Sequence, residues 1–144
     1  MGCGKTTLGK QWAAQKSMQF VDLDEIIEKH TQQTVLELFQ HKGEAYFREI
    51  EKEILLQTST FENTIIACGG GTPCFHENMN WMKANGKTIY IKANEVTLFD
   101  RLTSEKNKRP LISKMSDGEL KSYIHTTLKE RALFYEMAED VFEL

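Results

Sequence analysis

Met1-Gly-Cys-Gly-Lys-Thr-Thr7 opens the chain, and the reading of this stretch decides the fold. Gly4-Lys5-Thr6 is the closing half of the phosphate-loop pattern G-x-x-x-x-G-K-[ST]. Glycines let backbone N–H groups close around phosphate oxygens with no Cβ in the way. Lysine brings a cation to the β- and γ-phosphates, and the hydroxyl after it can ligate Mg²⁺. A helix starting here aims its positive end at the same anion. The first glycine of the pattern, and the strand expected before it, are absent from the sequence, so the chain starts inside the motif. Taken alone, the three letters fit equally well a loop lysine beside a threonine N-cap.

The stretches that follow favour the phosphate loop. Thr6 to Lys16 is predicted as a helix with Leu8, Trp12 and Ala13 on one side, and Gln19 to Asp22 as a short strand. Leu23 to His30 returns to helix, Thr34 opens a helical turn through Phe39, and Glu44 to Gln57 follows after Gly43. Thr64-Ile-Ile-Ala-Cys68 is a β-branched run closed by three glycines, the pattern of a buried parallel strand. Glu77 to Asn85 is helical, Lys87 to Ile91 a strand, and Asn94 caps a helix to about Leu102. Ser116 and Glu119 form a capping box for a long helix to about Ala138, and Asp140 to Leu144 is a final strand. Strands alternating with helices imply an α/β chain with a parallel sheet covered on both faces and a site at the carboxyl ends of the strands.

At 144 residues, 40% apolar and 27% charged, the chain fits one domain able to bury a core. It holds neither an apolar run near 18 residues nor a signal-peptide core, which argues against membrane insertion and export. A net charge of −3 weighs against a nucleic-acid surface. Cys3, Cys68 and Cys74 lack metal-ligand spacing and an even count, as expected of free thiols in the cytoplasm. The four histidines are scattered and form no ligand motif.

Several residues stand out against this background. Asp22 and Asp24 end an extended run, which would point both carboxylates to one side. Asp22 also fits a plain helix cap with Glu25 three residues on, yet a cap needs only one of the two. Arg48 lies off the edge of the stripe Phe47, Ile50, Ile54 and Leu55, with Glu51 and Lys52 in helical reach. It could be a surface ion pair or a guanidinium held by Glu51 and offered to a substrate carboxylate. Gly69-Gly70-Gly71 sacrifices chain entropy that a simple turn would not require, which favours close backbone approach to a ligand. Arg109, with Lys106 and Lys108, lies in a polar loop over about 104–116 that suits a lid closing on a triphosphate. Arg131 falls on the apolar face of the last helix among Leu128 and Tyr135, and a buried guanidinium requires an anion.

Together, Met1-Gly-Cys-Gly-Lys-Thr-Thr7, Asp22-Leu-Asp24, Phe47-Arg-Glu-Ile-Glu51, Gly69-Gly70-Gly71, Arg109-Pro-Leu111 and Arg131-x-x-x-Tyr135 resemble the shikimate kinase family over essentially the whole chain. The resemblance implies a nucleoside-monophosphate-kinase-like P-loop fold of three α/β/α layers with a five-stranded parallel sheet. It implies transfer of the ATP γ-phosphate to the 3-hydroxyl of shikimate, a step toward aromatic amino acids. In the roles so implied, Gly2, Cys3, Gly4, Lys5, Thr6 and Thr7 hold ATP, and Thr6 and Asp22 serve Mg²⁺. Lys5, Asp24 and Arg109 are catalytic, with Asp24 on the substrate hydroxyl and Arg109 as the lid cation. Arg48 and Arg131 clamp the substrate carboxylate, Gly69 to Gly71 line the same pocket, and Arg101 contacts the adenine. A single domain over 1–144, working as a monomer on ATP and shikimate, completes the expectation. The family also carries a strand before Met1 and a further helix after Leu144, so both ends are expected to be missing from this chain.

Two other readings stand beside this one. A kinase for gluconate or a nucleoside monophosphate would share the loop and lid, though not Phe47-Arg-x-x-Glu51 with the three glycines. A non-catalytic ATP-binding protein would have little use for all of Lys5, Asp22, Asp24, Arg48, Arg109 and Arg131. Neither a D-x-x-G nor an N-K-x-D signature of a GTPase is present.

Overall fold

The computed structural model describes residues 2–104, 106 and 112–144. Its backbone packs into two compact units, Gly4–Asn85 and Gly86–Leu144, the latter including the first residues through Cys3.

In the N-terminal unit, Gly4 adopts φ 81°, a left-handed conformation that glycine takes readily, and caps α1 (Lys5–Lys16). The buried face of α1 is Gly9 and Ala13, while Leu8 and Trp12 are only half-buried. The reason is local: a Cβ at Gly9 would fall 2.5 Å from Phe20 Cε2, so the bare helix surface admits the aromatic ring. β1 (Gln19–Asp22) follows and pairs in parallel with β2 (Thr64–Ala67), Gln19 opposite Thr64 and Asp22 opposite Ala67.

The crossover between these strands carries α2 (Leu23–Thr31), α3 (Val35–Lys42) and α4 (Glu44–Gln57). Thr34 starts α3 through a reciprocal capping box with Glu37, satisfying two otherwise orphaned donors. Leu23, Ile27, Leu38, Phe47, Ile54 and Leu55 form the first core. Leu23 and Ile27 are 0% exposed, and truncating either to alanine should cost about 2–5 kcal/mol. The buried residues of α4 are Phe47, Arg48, Glu51, Ile54 and Leu55. Arg48 is thus inside this stripe rather than off its edge, because it is neutralised there by carboxylates. α5 (Asn78–Asn85) closes the unit.

The C-terminal unit holds β3 (Ile89–Lys92), α6 (Glu95–Ser104), α7 (Asp117–Tyr135) and β4 (Asp140–Glu143). β3 begins two residues later than expected. Thr88 is used instead to tie down the approach to β4: its Oγ1 accepts from Glu139 N and its carbonyl from Asp140 N, both at 3.1 Å. Asn94 Oδ1 caps α6 by accepting from Thr97 N at 2.8 Å, and Ser116 with Glu119 makes the full capping box of α7. α7 stops at Tyr135, three residues short of the expectation, with Glu136 as its C-cap. β3 and β4 pair in parallel, so each unit has a two-stranded parallel sheet. Ala93, Leu98, Leu102, Ile112, Leu120 and Ile124 form the second core. Among the described residues no helix is long and apolar enough to cross a membrane.

Candidate active site

The strand-to-helix turn at Asp22 gathers the first group of residues. Asp22 Oδ1 accepts from Asp24 N at 3.1 Å, which caps α2. Oδ2 accepts from Lys5 Nζ at 3.0 Å and from Thr6 Oγ1 at 2.9 Å. One carboxylate therefore performs both tasks that seemed alternatives in the sequence, capping a helix and facing the loop. Asp24 itself lies in the first turn of α2, not on the strand. Strand alternation is thus not what positions it; the helical turn after Asp22 does.

Burial raises Asp24 above the ordinary carboxyl value, opposed by Lys5 and reinforced by Asp22, Glu51 and Glu28. Such a carboxyl holds its proton more readily than a free one, which suits it to proton transfer nearer neutrality.

Four residues of α4 and the glycine turn form the second group. Arg48 Nη1 donates to Glu51 Oε2 at 2.7 Å, and Glu51 Oε1 accepts from Thr72 Oγ1 at the same distance. Glu51 is 1% exposed and Thr72 0%, so both carboxylate oxygens are paired away from water. On its other edge Arg48 donates from Nε and Nη2 to Glu44 Oε1, at 3.3 and 3.1 Å. The ring centroids of Phe75, Phe47 and Phe39 lie 4.3, 5.1 and 5.8 Å from its Cζ. A surface ion pair is thereby ruled out. Lys52, the other neighbour in helical reach, takes no part.

The glycines fit around these groups. A Cβ on Gly71 would overlap the guanidinium of Arg48, and one on Gly69 would lie 3.4 Å from Glu51 Oε1 and 3.5 Å from Asp24 Oδ1. Gly70 is half-buried between them. Cys68, just after β2, packs on the first core, and burial pushes its thiol up to about 12. Thr72 and Phe75, together with Asn78, whose Nδ2 holds the Thr72 carbonyl at 2.9 Å, were not singled out from the sequence. Their position just after the three glycines was the one available signal.

The remaining candidates lie in the C-terminal unit. Gly2 has φ 59°, and a Cβ there would sit 3.0 Å from Leu102 Cγ. The Cys3 carbonyl accepts from Arg101 Nη1 at 2.8 Å, while the Arg101 side chain stays exposed. Arg131 is half-buried on α7. Thr7, in the N-terminal unit, is exposed on the first turn of α1. Arg109 lies outside the described residues.

The donor chemistry at Thr6 and Asp22 fits Mg²⁺: a hydroxyl and a carboxylate oxygen converge within 2.9 Å. Mg²⁺ prefers one or two carboxylates together with phosphate and water to an all-protein cage. No group of three or more His, Cys, Asp or Glu capable of holding a metal occurs among the described residues.

The family model described as Shikimate kinase matches residues 1–144. The shikimate kinase of Bacteroides thetaiotaomicron is 44% identical over 142 residues, covering 99% of this chain and 81% of that protein. Its crystal structure superposes with a TM-score of 0.96 over the same shares of the two chains. The structure of the Acinetobacter baumannii shikimate kinase in complex with shikimate is 30% identical, with a TM-score of 0.89, and the match covers 100% of this chain and 79% of that one. The shikimate kinase of Flavobacterium johnsoniae is 39% identical over 141 residues, 96% of this chain and 82% of that protein.

Proposed function

This chain belongs to the shikimate kinase family, and from that premise we propose that it transfers the γ-phosphate of ATP to the 3-hydroxyl of shikimate, giving 3-phosphoshikimate and ADP. The observation that carries the reading is the buried Arg48, fixed by Glu51 and faced by Gly71, in the same unit as the Lys5–Thr6–Asp22 cluster. A phosphate-binding group and a rigid carboxylate-binding group are what this reaction requires.

Phosphoryl transfer asks little covalent work of a protein, so positioning and charge neutralisation supply most of the rate. Backbone N–H groups of Gly2 to Thr7 and the positive end of α1 hold the ATP phosphates, with Lys5 on the transferring group. Asp24 orients the shikimate 3-hydroxyl and takes its proton as the oxygen attacks phosphorus and the bond to the ADP oxygen breaks. Its raised affinity for a proton suits this step. Arg48 binds the shikimate carboxylate, and Gly69 to Gly71 let backbone come close to the ring. The family resemblance assigns Arg131 to the same carboxylate, Arg101 to the adenine, and Arg109 to neutralising charge on the transferring group.

Thr6 and Asp22 would hold Mg²⁺, which neutralises phosphate charge when bound. A single domain with a lid over about 104–116, acting as a monomer in the cytoplasm on ATP and shikimate without nucleic acid or membrane, completes the proposal.

The test is ADP release from Mg-ATP with and without shikimate. Shikimate-dependent turnover supports the assignment. A folded, ATP-binding protein that releases ADP equally with gluconate, or with no acceptor, refutes it.

A further inference from the structure

Arg48 is surrounded unevenly. Glu51 takes Nη1 from within the protein and is itself fixed by Thr72. Gly71 stands so close to Nη1, Nη2 and Cζ that no side-chain atom fits between, and the rings of Phe75 and Phe47 lie within cation–π range of the guanidinium. The one remaining edge is the Nε/Nη2 fork. It is occupied by a single oxygen of Glu44, whose side chain is 56% exposed while that of Arg48 is 9% exposed.

A fork of two parallel N–H groups is the edge that receives a planar carboxylate bidentately. Glu44 thus offers Arg48 the same chemical group that an incoming carboxylate ligand would bring. Resting on the reading of Arg48 as the substrate's carboxylate ligand, we propose that Glu44 is an internal competitor for that edge, displaced when the substrate carboxylate binds.

Charge argues for exchange rather than coexistence. Arg48 already faces two carboxylates, Glu44 and Glu51, so a third against one guanidinium adds repulsion at a site poorly screened by water. Glu51 cannot leave, because both of its oxygens are paired and it is buried. Glu44 can, since it stands on the first turn of α4 with its side chain in solvent. Only the Glu44 half of this pair is in solvent, so it can yield to a ligand that sets two oxygens on the fork where Glu44 offers one.

The experiment is calorimetric titration of the protein with shikimate, for wild type, Glu44→Ala, Glu44→Gln and Arg48→Ala. Removing the competitor should tighten shikimate about two- to fivefold in Glu44→Ala, the range of an ion pair with one partner in solvent, with a smaller gain in Glu44→Gln. Weaker or unchanged binding in both folded Glu44 variants overturns the proposal, because it would make Glu44 a support of Arg48 or a bystander. Arg48→Ala separates the two readings. If it leaves shikimate affinity intact, the assignment of Arg48 itself fails. If it weakens binding while the Glu44 variants show no gain, only the competitor fails. Glu44→Gln keeps the length and polarity of the side chain, so loss of folding in Glu44→Ala would not block the test.

Discussion

Glu51 Oε2 receives Arg48 Nη1 at 2.7 Å within a single helix, and both side chains are buried. An ion pair three residues apart on an exposed helix would add a few tenths of a kcal/mol. Here the two charges share a buried site: removing Arg48 strands Glu51, and removing Glu51 leaves Arg48 with the exposed carboxylate of Glu44. Glu51→Ala should therefore cost about 3–5 kcal/mol of stability, measured by urea denaturation. Replacing both residues by apolar ones should recover much of that loss while shikimate binding stays absent. A double variant no more stable than the single one would show that the pair is not the source of the effect.

Asp24→Asn separates stability from catalysis. Asp24 is raised from 3.8, chiefly by burial, so between 3.8 and its raised value the folded chain holds more protons than the unfolded one. Stability contributed by this group therefore falls as pH rises through that window, and stays lower above it. Asparagine removes the charged form. The stability advantage of Asp24→Asn over wild type should grow from pH 4.5 to pH 7, while turnover drops by about 10²–10⁴-fold. An advantage that shrinks with rising pH would reverse the assigned sign.

Two glycines give an internal comparison. Gly71→Ala places a methyl on the Arg48 guanidinium, and overpacking of this sort costs about 1–3 kcal/mol; the loss should appear mainly as a higher KM for shikimate. Gly86→Ala meets nothing within 4 Å and has no left-handed φ, so stability should change by less than about 0.5 kcal/mol. Equal effects at both positions would mean that glycine content, not the space beside Arg48, is what matters.

Arg131→Ala should weaken shikimate binding by about 2–5 kcal/mol if it shares the substrate carboxylate with Arg48. An unchanged KM for shikimate in a folded variant would take Arg131 out of the site.

Arg109→Ala should lower turnover on the order of 10²–10⁵-fold, by the logic of an arginine that neutralises charge on a transferring phosphoryl group. A loss below about threefold would exclude that role.

The sequence by itself determined the framework. The Thr34–Glu37 and Ser116–Glu119 boxes, the β-branched run Thr64 to Ala67 and the Gly4-Lys5-Thr6 helix start are local signals. Each works through atoms a few residues apart, so each was legible without knowing the fold. Asp22, Arg48 and the glycine turn were legible as candidates for the same reason. Their environment was not. Helical period puts Arg48 near an apolar stripe, but only packing decides whether water or Phe75 covers it. Thr72 meets Glu51 across 21 residues, and Lys5 meets Asp22 across 17. Such pairs exist only after β1 and β2 align and draw the ends of α1, α2 and α4 beside them. Burial then raises Asp24 and encloses Arg48 while its partner Glu44 stays in solvent, because desolvation depends on what the rest of the chain places nearby.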